Sequence, residues 1–169
     1  MSVFDIEDLM DKVYDLLVDT DTGINYNIGL IEAEKATRDA TKGMAGTTLK
    51  TVDLTNGIFY FWQDSIQNVS PLVVIYPSRH DTTDDDIDII TVNVELMFRD
   101  TSDKLTARNR VLRYSKALRH CLLRKRFSSV FDSAKISQLE YLALEDPKSA
   151  GKMAIYSAGI AITGSITNE

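Results

Sequence analysis

The stretch ITVNVELMFRDTSDKLTARNRVLRYSKALRHCLL, residues 90–123, holds the two clearest elements of the sequence side by side. Over residues 90–98, large apolar side chains alternate with polar ones, which is typical of a strand with one dry face and one wet face. From Ser102 or Asp103 to Arg124, apolar residues recur at helical spacing, which predicts a long helix capped by one of those two side chains. A strand that leads into a helix of this length is the centre of the predicted fold.

Further strands are predicted on both sides of this unit. The nearly continuous apolar run PLVVIYP, residues 71–77, predicts a strand buried on both faces. Aromatic residues over 57–63 predict another strand before it. Downstream, the segments 135–145 and 153–166 read as two strands, and the polar loop between them favours antiparallel pairing.

The first 50 residues are predicted to hold a helix, a short strand and a long loop. Apolar residues at helical spacing follow an acidic first turn at Asp5 and predict a helix, and Gly23 is expected to end it in a left-handed conformation. Alternation over 24–28 predicts a strand that reaches about Ile31. Residues 32–50 have no large apolar face and predict a mobile loop, with a helical turn within it as an open alternative, and a partner would order this segment.

The order of these elements favours one α+β domain over residues 1–169, with a mostly antiparallel sheet and an N-terminal and a long central helix packed on one face. Apolar runs are too short for a transmembrane helix, and the acidic N-terminus lacks the basic start of a signal peptide. We therefore expect a cytoplasmic origin. Cys121 is the only cysteine, so no intrachain disulfide can form, and it is predicted to lie in the core.

The net charge of −6 divides unevenly along the chain. Residues 1–103 carry 20 acids and 7 bases, whereas residues 104–169 carry 12 bases and 5 acids. Nine bases fall within residues 104–126. Three interpretations stay open for this basic helix: a solvated face, a surface that binds nucleic-acid phosphates, or a contact with the acidic half of a neighbouring copy. The residues expected at such a subunit contact are Arg113, Lys116 and Arg119.

The stretch DTTDDDID, residues 81–88, places five carboxylates in eight positions. A calcium loop needs a glycine at its sixth position and a glutamate at its twelfth, where this chain has Asp86 and Val92. A two-metal site needs carboxylates that converge from separate elements, not one contiguous run. A solvated hairpin loop, a charged interface or lumen surface, and a metal site are the alternatives. The lumen or interface residues would be Asp84, Asp85 and Asp86.

The sequence matches no familiar catalytic or cofactor-binding pattern. There is no G-x-S-x-G, phosphate-loop or dinucleotide fingerprint. His120 and Cys121 share a helix but point about 100° apart, and Asp81, adjacent to His80 in the sequence, is poorly placed to orient it as a catalytic base. We expect no enzyme activity, no cofactor and no metal. A small metal-dependent hydrolase that uses His80 and residues 84–88 is the competing enzyme hypothesis.

Over most of its length the chain resembles the tail terminator proteins of tailed bacteriophages. The resemblance rests on the amphipathic opening helix, on PLVVIYP, on the strand and helix of 90–123 and on the closing strands. It implies a small α+β subunit that forms a hexameric ring, caps the tail tube at its full length and then meets the head connector. Other phage neck and head-completion proteins have a similar pattern and stay open as an alternative.

The resemblance also implies partners and a location. It implies a structural virion protein of the tail or neck, assembled in the host cytoplasm, with the tail tube protein, the head–tail connector (stopper) protein and a sheath protein as partners. DNA would pass through the ring without specific binding, and no membrane is involved. Residues 32–50 and 78–88 would reach neighbouring subunits or the tube. A competing function of another class is a nucleic-acid-binding accessory protein that uses helix 104–126.

Overall fold

The computed structural model describes residues 5–43, 47–61, 69–83, 87–102, 104–123, 133–144 and 154–167. The helices are α1 (Ile6–Val18), α2 (Ile24–Lys42) and α3 (Lys104–Leu123). The strands are β1 (Ile58–Tyr60), β2 (Leu72–Thr82), β3 (Ile87–Asp100), β4 (Ser133–Leu144) and β5 (Ala154–Thr167). The predicted α+β class is confirmed. No helix in the described ranges is long and apolar enough to cross a bilayer.

The strands form one five-stranded sheet in the order β1-β2-β3-β5-β4. β1 runs parallel to β2, and every other neighbouring pair is antiparallel. The expected mostly antiparallel sheet is therefore confirmed, as is the antiparallel pairing of the last two strands. β3 lies in the centre and pairs with β5 along its whole length, from Ile87 opposite Thr167 to Asp100 opposite Ala154.

One hydrophobic core is shared by the sheet and the three helices. The alternating side chains that marked β3 in the sequence belong to it, with Ile90 and Leu96 fully buried among them. Leu17 of α1, Ile28 of α2 and Leu118 of α3 are buried in the same core. Burial of a side chain of this size contributes about 2 kcal/mol, so the shared core stabilises the packing of these elements.

The prediction for residues 24–31 was wrong, because this segment begins α2 instead of forming a strand. Its buried residues are Ile24, Asn27, Ile28 and Ile31. That spacing of three and four residues is helical, but the polar Asn27 hid it. The Asn27 amide nitrogen donates hydrogen bonds to the carbonyl oxygens of Thr22 and Gly23, both at 2.8 Å, which satisfies it in the buried position.

The mobile loop predicted over 32–50 is also corrected. Residues 32–42 belong to α2, and Gly43 ends that helix in the left-handed conformation with φ of 65°. Leu49 is buried in the core, and Asn25 fixes the chain beyond it through two 2.8 Å hydrogen bonds with the backbone of Val52. The glycine that suggested a loop is therefore a helix end.

A polar cap begins α1, and a turn that contains a glycine leads from α1 to α2. Asp5 caps the start of α1: its carboxylate accepts hydrogen bonds from the backbone nitrogens of Glu7 and Asp8. After Val18 a tight turn leads to Gly23, which does not take the predicted left-handed conformation, since its φ is −75°. Glycine is needed there because a side chain would come within 2.5 Å of the Leu17 carbonyl oxygen.

Candidate interaction surfaces

Arg113 lies inside the fold and not at an exposed subunit contact, which corrects the prediction for this residue. It is only 5% exposed. One of its guanidinium nitrogens donates to both carboxylate oxygens of Asp39, each at 2.6 Å, and the other donates to Glu32 and to the carbonyl oxygen of Thr47 at 3.3 Å. Arg113 therefore links α3 to α2 and to the chain that follows α2.

The same helix–helix contact also uses Lys116. Its ammonium group lies 2.6 Å from the Glu34 carboxylate, which also pairs with Lys35. The Lys116 hydrogen bond lowers the pKa of Glu34 to about 2, and the Arg113 hydrogen bonds lower the pKa of Asp39. Both acids are therefore ionised at neutral pH, and each compensates a base of α3 within the same chain.

A third base, Arg110, compensates the end of β3. Its guanidinium lies 2.5 Å from the Asp100 carboxylate and 2.9 Å from the Ser102 hydroxyl, and it also donates to the Thr48 carbonyl oxygen. Burial raises the pKa of Asp100, but the hydrogen bonds from Arg110 and Ser102 outweigh it, so the pKa lies below its ordinary value. These groups border a cleft of about 470 Å³ at the start of α3.

A further part of the α3 surface is exposed, and we call it the α3 stripe. It consists of Leu105, Arg108, Leu112 and Arg119. The two leucines are 68% and 54% exposed, which is unusual for side chains of this type on a packed helix. Arg119 makes no ion pair within the described ranges. The structure therefore separates the three predicted contact residues: Arg113 is internal, Lys116 is paired within the chain, and Arg119 lies on a surface.

The most acidic described surface follows the outer face of α1. Residues 5–21 contain seven acids and a single base, Lys12. Glu7, Asp11 and Asp15 recur every fourth residue and are all exposed, whereas the opposite face of α1 is buried in the core. Asp11 accepts a 2.8 Å hydrogen bond from the Tyr60 hydroxyl, so this acidic face adjoins the edge strand β1.

An apolar notch interrupts the acidic face, and we call it the α1–β1 notch. It has a volume of about 240 Å³ and is lined by Met10, Tyr60 and Phe61, with the acids Glu7 and Asp11 at its border. Phe61 is 53% exposed, and its φ of 64° lies in the left-handed region. A bulky residue there costs of the order of 1–3 kcal/mol, and such strain is concentrated at functional sites.

The acidic stretch 81–88 lies at the turn between β2 and β3, and its two ends belong to those strands. Asp88 accepts a 2.6 Å hydrogen bond from the Thr82 hydroxyl and lies 3.6 Å from the His80 ring, while Asp81 pairs with Arg79. The residues proposed for a lumen or interface loop, Asp84, Asp85 and Asp86, lie outside the described residues. Their predicted role stays a prediction.

The face of the sheet away from the main core has an apolar part and a polar part. Leu72 and Val74 are buried there against Phe59 and Met97. Farther along the strands lies a polar groove of about 320 Å³. Thr91, Asn93 and Glu95 line it from β3, and Arg79 lines it from β2. This face therefore carries polar side chains that a partner could contact by hydrogen bonds.

Within the described ranges, potential metal ligands do not cluster, and the one thiol is buried. There, no group of three or more His, Cys, Asp or Glu side chains lies close enough to hold a metal ion. Cys121 is buried in the core, as predicted, and its thiol donates to the Leu16 carbonyl oxygen at 3.1 Å. It therefore joins α3 to α1.

No protein-family model matches the chain, and no curated protein matches it.

Proposed function

We propose that the chain is a structural protein of a phage virion, a tail terminator that forms a ring, caps the tail tube and joins it to the head connector. The resemblance over most of the chain suggests this role. The observation that supports it best is the separation of charge on the described surface, with acids along α1 and an exposed basic and apolar stripe on α3. Surfaces of this kind favour association between copies of one chain.

The arrangement of helices and sheet is compatible with a subunit that makes contacts on two sides. With α1 and α3 on one face of the sheet, as the sequence predicts, the polar groove on the other face is left for a second partner. A terminator needs two kinds of contact, because it binds its own copies within the ring and other proteins above and below it. The helix surfaces would make the contacts with other copies in the ring. The polar face of the sheet and the β2–β3 hairpin would contact the other proteins.

A nucleic-acid-binding role draws less support. Arg110, Arg113 and Lys116 of α3 each pair with an acid of the same chain. Their charges are compensated, so fewer bases of this helix can neutralise phosphates than the sequence suggests. A titration with duplex DNA at low salt tests this. We expect the chain to bind DNA no more tightly than an unrelated acidic control protein does.

Immunogold electron microscopy tests the proposed function directly. Virions are prepared from the host that encodes the chain, and gold-labelled antibody against the chain is applied to them. We expect label at the joint between head and tail of each particle. Label elsewhere on the virion, or virions that lack the chain, would overturn the proposal.

A further inference from the structure

We infer that copies of this chain associate head to tail, with the α3 stripe of one copy docked on the acidic face of α1 and in the α1–β1 notch of the next. The occupant of each surface is therefore a second copy of the same chain. This inference deepens the proposed function, since it names the contact that would close the ring and rests on that function for closure alone.

The first observation behind it is complementary charge. The outer face of α1 presents Glu7, Asp11 and Asp15 one helical turn apart. The α3 stripe presents Arg108 and Arg119, which lie three helical turns apart on the same side of the helix. Opposite charges arranged in rows steer two surfaces together and fix the register between them.

The second observation is complementary shape and polarity. Leu105 and Leu112 lie two turns apart on the stripe and expose more than half of their surface. The notch supplies an apolar recess for one such side chain, walled by Tyr60 and the exposed Phe61. A leucine flanked by arginines fits a recess bordered by acids, because the apolar group leaves water while the charges pair at the rim.

The third observation is position. α1 packs on β2 and β3 and reaches the edge strand β1 through the Asp11–Tyr60 hydrogen bond. α3 packs on β5 and β4, on the other half of the sheet. The stripe and the notch belong to different helices over different strands, so a contact that joins the stripe of one copy to the notch of the next is heterologous. Heterologous contacts form a ring when the rotation closes and a filament when it does not.

Charge reversal with reciprocal rescue tests this contact. One variant carries Arg108→Glu and Arg119→Glu, and a second carries Glu7→Lys and Asp11→Lys. The association of each with itself should weaken at least about 100-fold, because like charges then face each other. A 1:1 mixture should assemble again, since each stripe then meets a notch of opposite charge. A matched control is Lys42→Glu with Lys50→Glu, two exposed bases outside the stripe, which should assemble like the wild type.

Assembly is measured on the full chain by light scattering and native mass spectrometry at about 100 μM, with thermal unfolding to confirm that each variant folds. A cysteine pair, Leu112→Cys with Phe61→Cys, provides a second readout, because oxidation should link successive copies into a ladder. Wild-type self-association that both charge variants retain, or a closed dimer in place of a ring or filament, would overturn the inference. So would a wild-type chain that stays monomeric and gives no cross-linked ladder.

These results are separable from a failure of the proposed function. Gold label at the head–tail joint together with unchanged assembly of the variants would reject this contact and keep the terminator role. If the 1:1 mixture of variants assembles but the protein is absent from virions, the terminator role is rejected and the contact stands.

Discussion

Arg113 and Arg119 lie on the same helix and look alike in the sequence, yet they have different surroundings. Arg113 is buried and held by Asp39 in a two-oxygen contact. Arg119 is exposed on the α3 stripe, two turns from Leu112. The bases of α3 that meet α2 hold the fold together, and the stripe is available to a partner. The difference shows that a basic helix is not one surface, because some of its bases meet acids of α2 and others face the solvent.

The largest effect is expected from Arg113→Met. This change leaves the Asp39 carboxylate buried without its partner, which should cost about 3 kcal/mol of unfolding free energy and lower the melting temperature by about 6–12 °C. Urea unfolding and calorimetry measure it. The matched variant Arg119→Met should stay within about 0.5 kcal/mol of the wild type, and equal losses for both would erase the distinction between the two sides.

A double variant sharpens this comparison. Replacing both partners, Arg113→Met with Asp39→Leu, removes the buried charge as well as its counter-charge. It should recover most of the stability lost by Arg113→Met alone, because an apolar pair of similar volume tolerates burial. A double variant as unstable as the single one would mean that Arg113 acts by packing and not by its charge.

Acid pH should lower the stability of the protein, because it protonates the acids that pair with the bases of α3. The pKa values of Asp39 and Asp100 are lowered by Arg113 and Arg110, against the effect of burial. Their contribution to stability is therefore complete above the unfolded-state pKa of about 4 and is lost as the pH falls through the lower folded-state values. Urea midpoints measured from pH 7 down to pH 2.5 should show this decline. The Arg113→Met/Asp39→Leu variant should decline less.

Tyr114→Phe is expected to have a smaller effect. The Tyr114 hydroxyl accepts from the backbone nitrogen of Lys50 at 3.0 Å and donates to its carbonyl oxygen at 2.9 Å, while burial raises the pKa of Tyr114 to about 12. Loss of these bonds should cost about 1–2 kcal/mol and loosen the segment after α2. Amide hydrogen exchange at Lys50 should then accelerate, and unchanged exchange would contradict the link from α3 to that segment.

The smallest effect on folding is expected for Leu112→Ser. Because Leu112 is more than half exposed, the change should alter the unfolding free energy of the monomer by less than about 0.5 kcal/mol. The same change should weaken self-association, since it removes an apolar group from the proposed contact. A clear loss of monomer stability would show that the stripe packs within the subunit and is not a surface.

The sequence predicted the elements whose apolar pattern is regular. β3 alternates buried and half-buried residues with hardly an exception, and α3 keeps helical spacing although Leu105 and Leu112 lie off its buried side, so 90–123 could be assigned from spacing. α2 was missed because its buried positions include Asn27 and Asp39, which a hydrophobic pattern does not count. Helical spacing of Ile24, Ile28 and Ile31 was the signal that could have revealed it.

For the candidate surfaces, the sequence determined the charges and the class of fold. It placed acids in the first half of the chain and bases in the second, and it ordered the elements into an α+β domain. Only the tertiary structure decided which charges compensate each other within the chain, as Asp39 does for Arg113, and which lie exposed with no ion pair among the described residues, as Arg119 does. Helical spacing fixes the side of the helix on which a base lies, but its partner is set by the packing of α2 against α3, which brings together residues 74 positions apart.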